Sequence, residues 1–157
     1  MIVDSGNRTE FPTGAVRDIG ESKGRCDLMP LMVVGEYMHC EEIKEIALFK
    51  ETGDIDHLNR CLDQFLTDSD FCCVAEMILE VAMHFEEGAK KYGENNWQKG
   101  IPIHSYMDSA IRHFLKNKWG RQDERHDRAF VWNILCAMWT LENIPELDDF
   151  TDKVVEF

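Results

Sequence analysis

The stretch AFVWNILCAMWTL, residues 129–141, is apolar at every position except Asn133 and Thr140. It shows no polar–apolar alternation. A helix that is apolar all round is buried, either in the centre of a bundle or in a subunit interface. The rest of the chain is therefore expected to wrap around this segment. Asn133, an amide inside that helix, needs hydrogen-bond partners from the protein or from a ligand.

Working outward, the buried helix is expected to start near Gln122 and to reach Glu142. Before it, HSYMDSAIRHFLKNKW (104–119) reads as a helix stopped by Gly120. Upstream of that, YGENNWQKGIP (92–102) is a break, punctuated by Gly93, Gly100 and Pro102. A long helix precedes the break, from about Asp68 or Ser69 to Lys91. Its apolar residues Phe71, Val74, Ile78, Ala82, Phe85 and Ala89 recur at spacings of three and four, which puts them on one stripe. DIDHLNRCLDQFL (54–66) is a shorter helix with Asp54 as a cap, and EEIKEIALFKETGD (41–54) is another, ending near Gly53. KGRCDLMPLMVVGEYM (23–38) starts a helix with Asp27 as N-cap and Pro30 in the first turn. No hairpin signal and no internal repeat is present. The expected fold is all-α, a bundle of four to six helices with a buried C-terminal helix, and oligomeric. Residues 1–24 read as a flexible arm, 25–143 as the folded domain and 144–157 as a loose acidic tail.

Charge narrows the function. Thirty Asp and Glu stand against 17 Lys and Arg, a formal net charge of −13. Such a chain does not track a nucleic-acid backbone by charge, so no direct nucleic-acid binding is expected. If it handles a polyanion such as a nucleotide, something positive has to be added, and a divalent metal is the natural candidate. No apolar run approaches the ~20 residues of a membrane span, and residues 1–24 lack an apolar signal core. A cytoplasmic location is expected. The six cysteines form no CxxC pair and are expected to be reduced thiols, with Cys72 and Cys73 on different sides of a helix.

On a helical wheel Glu76, Glu80 and Glu87 gather opposite the apolar stripe of the long helix, with His84 at the edge of that group and Glu86 off to the side. This is either a solvated acidic face or a metal face, since hard cations such as Mg²⁺ take several carboxylate oxygens. Glu124-x-x-Asp127 at the start of the last helix offers a matching pair, because residues three apart share a helical face. Favourable placement near the helix dipole would also explain those two acids. Two helices that each offer a carboxylate pair make a di-metal site possible in a bundle. In HFEEGAKKYGENNWQKG (84–100), Lys90, Lys91 and Lys99 suit phosphate. Tyr92 and Trp97 suit base stacking or anchoring of the loop, and Asn95 and Asn96 suit a base or sugar. Arg25, Arg112, His113 and Asn133 complete the candidate substrate contacts.

The blocks GRCDLMP, EEGAKKYGENNWQKGIP, DSAIRHFLK and DERHDRAFVWN, in that order, resemble the dATP/dGTP diphosphohydrolase family. These are phage and prophage enzymes related to the MazG-type all-α nucleoside triphosphate pyrophosphatases. The resemblance runs from about Gly24 to Leu141 and is densest over Glu86–Pro102. It implies an oligomeric all-α bundle with Mg²⁺ or Mn²⁺ held by carboxylates of two helices. The implied reaction is cleavage of a purine deoxynucleoside triphosphate to the monophosphate and pyrophosphate, and water attack on the α-phosphorus is the step expected for it. The EExxE signature of the wider superfamily is incomplete here: Glu86-Glu87 is followed by Gly88, Ala89, Lys90 and Lys91. The expected ligands are accordingly Glu80, Glu87, Glu124 and Asp127, with Glu86 and Asp123 ranked below them, and Glu87 and Glu124 as the catalytic pair. Two other readings compete. His126-Asp127 is an HD dipeptide, which with His113, His104 and Asp148 would make an HD-type metal phosphohydrolase. A non-catalytic helical nucleotide-binding or interaction protein is the other.

Overall fold

The structure, a computed structural model, describes residues 2, 4–69 and 74–152. Helix α6, His126–Asn143, runs through its middle and buries Ala129, Phe130, Val131, Asn133, Ile134, Cys136, Ala137 and Thr140. Phe130 shows why the surrounding helices lie where they do. Its ring sits 4.5 Å from Phe65 of α3 (Asp56–Asp68) and 5.7 Å from Phe114 of α5 (Ile103–Trp119). Fully buried rings at such distances contribute both area and favourable edge contacts. Helix α5 lies along α6. Helices α1 (Leu31–Tyr37) and α2 (Glu41–Thr52) pack on each other and close the core with Ile43, Ile46 and Phe49. Gly35 lets α1 and α2 approach: a Cβ there would meet the Lys44 backbone at 2.8 Å. Helix α4 (Val74–Tyr92) packs on α6.

The six helices and their buried last member agree with the all-α expectation. Gly53 and Gly120 stop α2 and α5 in the left-handed conformation, at φ 70° and 80°. After α5 the amides of Gly120 and Arg121 cap the carbonyls of Asn117 and Lys116. Asp54 accepts the Asp56 amide at 3.0 Å, as a capping residue does. The cysteines of the described residues are free thiols. Phe71, Cys72 and Cys73 fall outside the described residues, while Asp68 and Ser69, the expected start of the long helix, are instead the last residue of α3 and its extended C-cap.

Several expectations change. The segment 23–38 is two elements, a 3-10 turn at Cys26–Leu28 and then α1, and Asp27 pairs with Arg25 instead of capping. The last helix begins at His126, so Glu124 precedes it, because Arg125 holds a non-helical ψ of 80°. On α4 the buried face is rotated to lie between the apolar stripe and the acidic face, and of the stripe Phe85 still packs on the core. Met77, Val81 and His84 face the core, while Val74, Ile78, Leu79 and Met83 are exposed. The cause lies on α6: Arg128 is only 3% exposed, and its guanidinium takes Glu80 and Glu87 as partners. An unpaired buried guanidinium costs several kcal/mol, so Glu80 and Glu87 turn towards it while Glu76 stays exposed.

The N-terminal segment contains a hairpin, β1 (Arg8–Glu10) antiparallel to β2 (Val16–Asp18) with Thr9 opposite Arg17. Three-residue strands are too short to show alternation in a sequence. Asn96 acts as a third strand edge: its side chain accepts the Val16 amide at 2.9 Å and donates to the Val16 carbonyl at 2.8 Å. The C-terminal acidic segment is docked over its described part. Phe150 is buried against Phe49, His104 Nδ1 bonds Asp149, and Lys50 pairs with Asp152 at 2.9 Å. Phe130→Ala is expected to cost about 3–5 kcal/mol of stability, read as a lower urea midpoint at unchanged slope.

Candidate functional site

A cleft of about 1010 Å³ opens between the hairpin, the end of α4, the loop 93–102, α5 and the turn before α6. That is the size of a small-molecule site. Its walls explain why the four sequence blocks have to meet. Asp108 on α5 accepts the Cys26 amide at 2.6 Å and pairs with Arg112, whose Nη2 also donates to the Gly24 carbonyl at 2.6 Å. The GRCDLMP segment is thereby tied to α5. The loop after α4 is tied to the hairpin through Asn96. Asn133 Nδ2 donates to the Ala129 carbonyl at 2.8 Å, and its Oδ1 accepts from Arg17 at 2.9 Å.

Several expected substrate contacts are engaged by the protein itself. Arg25 pairs with Asp27 at 2.8 Å. Lys91 donates to the Ile2 carbonyl at 2.6 Å, and Lys90 stands 3.7 Å from Glu86. Trp97 packs against Phe85 and Trp139, with centroids 5.5 and 5.0 Å away, while still lining the cleft. Tyr92 lines it too, with Arg8 over its ring. Lys99 is exposed at the edge of the hairpin turn. Arg112, His113 and Asn133 line the cleft.

The four expected metal carboxylates do not gather. Arg125 bonds Glu80 at 2.8 Å and Asp127 at 2.9 Å, and Arg128 bonds Glu87 at 2.7 Å. Burial alone would push the Glu87 and Asp127 carboxyls up, but hydrogen bonds from these arginines hold both below the usual range. Glu124 lies elsewhere, on the cleft wall. Its Oε1 is 3.7 Å from His113 Nδ1 and 3.6 Å from His126 Nδ1. Asp123 accepts from or faces His126 Nε2 at 2.8 Å, which holds its own carboxyl low. Glu86 lines the cleft. The set for an HD-type centre is not assembled either. Asp127 turns to Arg125, and Asp148 caps Thr151.

Three residues acquire a role that sequence reasoning missed. Arg17, from the supposed arm, places its guanidinium among Asn133, the Ser105 carbonyl and the rings of Tyr106 and Trp132. Among the described residues no carboxylate pairs with it. His84 lines the cleft beside Trp132, and its Nδ1 is buried without a partner. His126, weighed only as half of a dipeptide, stands against His113. Among the described residues, half of the six unpartnered buried side-chain polar atoms, namely His84 Nδ1, Arg112 Nε and Trp132 Nε1, belong to cleft residues. A buried polar atom without a protein partner is open to a bond from water, an ion or a ligand. Periodicity carries no signal for any of these, since each depends on a contact between distant elements.

The family model of dATP/dGTP diphosphohydrolase, N-terminal, matches residues 55–150. The chain belongs to this dATP/dGTP diphosphohydrolase family. The matched span runs from the residue before α3 to Phe150 and holds three of the four resembling blocks; GRCDLMP lies before it. The family name denotes a hydrolase of nucleoside triphosphates. No curated protein and no solved structure matches the chain. Among the described residues no helix is long and apolar enough to cross a membrane.

Burial first, and the Arg128 charge second, push the His84 ring down to about 4 from its ordinary 6.5. The unfolded ring takes up a proton between those values and the folded ring does not, so stability falls as pH drops from 6.5 towards 4. The expected loss from this group approaches about 3 kcal/mol. A His84→Gln protein should show a flatter dependence of its urea midpoint over that window than the wild type; parallel curves would refute the assignment.

Proposed function

We propose that the chain hydrolyses purine deoxynucleoside triphosphates of the dATP/dGTP type to the monophosphate and pyrophosphate, in the cleft beneath the hairpin. The observation that carries this reading is the convergence of the family-resembling blocks around one nucleotide-sized cleft that holds unpartnered buried polar atoms. Charge supports it as well. Among the described residues the cleft is lined by five Lys and Arg but seven Asp and Glu. A polyphosphate therefore needs an added cation, as the overall charge of the chain already suggests. A divalent cation, Mg²⁺ or Mn²⁺ in the family resemblance, supplies that charge when bound and makes water a better nucleophile. Of the four carboxylates expected to hold it, Glu124 alone sits beside other donors on the cleft wall.

The protein's own groups divide the substrate between them. Arg17 offers a guanidinium with no acidic partner among the described residues, which suits a phosphate oxygen. The Arg112 Nε and the Trp132 Nε1 are donors that a bound anion or base satisfies, and Tyr92, Trp97 and Trp132 present aromatic surface to a purine. His84, neutral in the fold, offers Nδ1 as a hydrogen-bond partner to the ligand. A homo-oligomer working in the cytoplasm completes the reading, and the exposed Val74, Ile78, Leu79 and Met83 on α4 favour association.

Incubation of the full chain with each deoxynucleoside triphosphate and Mg²⁺ or Mn²⁺ should release pyrophosphate and monophosphate with dATP or dGTP. Release of inorganic triphosphate, or no product, would contradict the reading. Arg17→Ala should raise KM roughly 10- to 100-fold, the worth of one charged hydrogen bond, with the helical circular-dichroism signal retained. An unchanged KM would remove Arg17 from the binding site.

A further inference from the structure

The turn before α6 brings three donor atoms of two chemical kinds to one point on the cleft wall. His113 Nδ1 and His126 Nδ1 are 2.9 Å apart, and Glu124 Oε1 lies 3.7 and 3.6 Å from them. All three fall within 4.8 Å of one another. We propose that His113, Glu124 and His126 form a site for one divalent transition-metal ion of the Mn²⁺, Co²⁺ or Zn²⁺ kind, with the remaining coordination positions open to the cleft.

The distances suit a shared ion. Two nitrogens bound at about 2.0–2.1 Å, at the angles of tetrahedral or octahedral coordination, stand about 2.9–3.4 Å apart. The histidine pair already meets that spacing. The Glu124 oxygen closes the remaining few tenths of an ångström by side-chain rotation, since the residue lies in a turn and not in a helix. The outer partner is present too. His126 Nε2 faces Asp123 Oδ1 at 2.8 Å. An Nε2–H donated to that carboxylate fixes the ring so that Nδ1 turns its lone pair inward, the arrangement found behind metal-bound histidines. His126 is 2% exposed and His113 is half-buried against it, with ring centroids 5.2 Å apart, so both rings are held before any ion arrives. His113, Asp123 and Glu124 line the cleft. Three protein ligands with an open position are the pattern of a reactive metal site, while a closed set of four is that of a structural one.

The donor set selects the metal. Imidazole nitrogens favour borderline transition metals, and Mg²⁺ prefers an all-oxygen octahedron. The carboxylates that would supply such an octahedron, Glu80, Glu87 and Asp127, are held by Arg125 and Arg128.

The location of this site in a nucleotide cleft rests on the function proposed above; ion binding itself does not, and is measured without nucleotide. Metal-free full-length protein is titrated with Co²⁺ by visible absorption and with Zn²⁺, Mn²⁺ and Mg²⁺ by calorimetry. One equivalent of Co²⁺ should give d–d bands, and Mg²⁺ should bind at least tenfold more weakly than Co²⁺. His126→Ala and Glu124→Gln should abolish the bands. Asp123→Asn, in the exposed turn and no threat to folding, should weaken Co²⁺ roughly 10- to 100-fold. Glu80→Gln should leave Co²⁺ binding unchanged. Absence of Co²⁺ binding, bands that survive in Glu124→Gln, or binding that depends on Glu80 would overturn the site. Pyrophosphate release measured in parallel separates the two ideas: Co²⁺ bands without turnover would refute the nucleotide reading and leave the metal site standing. Turnover without Co²⁺ binding would do the reverse.

Discussion

Helix α6 is covered over most of its circumference, yet four of its buried residues are polar: His126, Arg128, Asn133 and Thr140. Each must be satisfied, since a buried donor or charge without a partner costs more than most single contacts return. Thr140 donates to the Cys136 carbonyl within the helix, and the other three take partners from α4, α5, the turn before α6 and the hairpin. Arg128 draws Glu80 and Glu87 from α4. His126 draws His113 from α5 and Asp123 from the turn. Asn133 draws Arg17 from the hairpin. The apolar residues of α6 decide that the chain wraps around it, and the polar ones decide which faces of the wrapping elements turn inward.

The cleft follows from the same requirement. The hairpin reaches the core through Arg17 and is held from the other side by Asn96, so it stands over α5 and α6 with a gap beneath it. Around that gap, among the described residues, His84 Nδ1, Arg112 Nε and Trp132 Nε1 are buried without protein partners. The motif residues that look like direct substrate contacts are partly scaffold: Asn96 holds the hairpin and Asp108 with Arg112 holds the segment before α1.

Much of the architecture was legible in the residues. The apolar run at 129–141 announced a central helix, and Gly53 and Gly120 marked helix ends because a left-handed residue there is a local requirement. The cleft blocks were legible as well, through their resemblance to a known family. The pairing of charges was not. Glu124 and Asp127 look like one helical face, but a single non-helical residue, Arg125, starts the helix later and sends the two carboxylates to different neighbours. On α4 the apolar stripe and the acidic face are both clean, and a wheel alone favours burying the stripe. The buried guanidinium of Arg128, 41 residues from Glu87, draws Glu80 and Glu87 towards it and rotates the buried face away from most of the stripe.

The sequence by itself determined the helices, their breaks, the central place of the last one and the family to which the cleft residues belong, because these depend on spacing and on residues close along the chain. Tertiary structure alone decided which acid meets which base, that Arg17 crosses 116 residues to reach Asn133, and that two histidines and a glutamate share a corner. The physical reason is that satisfying a buried polar group is a requirement on the whole packed molecule. Its partner can come from any element that packing brings near, and no local period records which one that is.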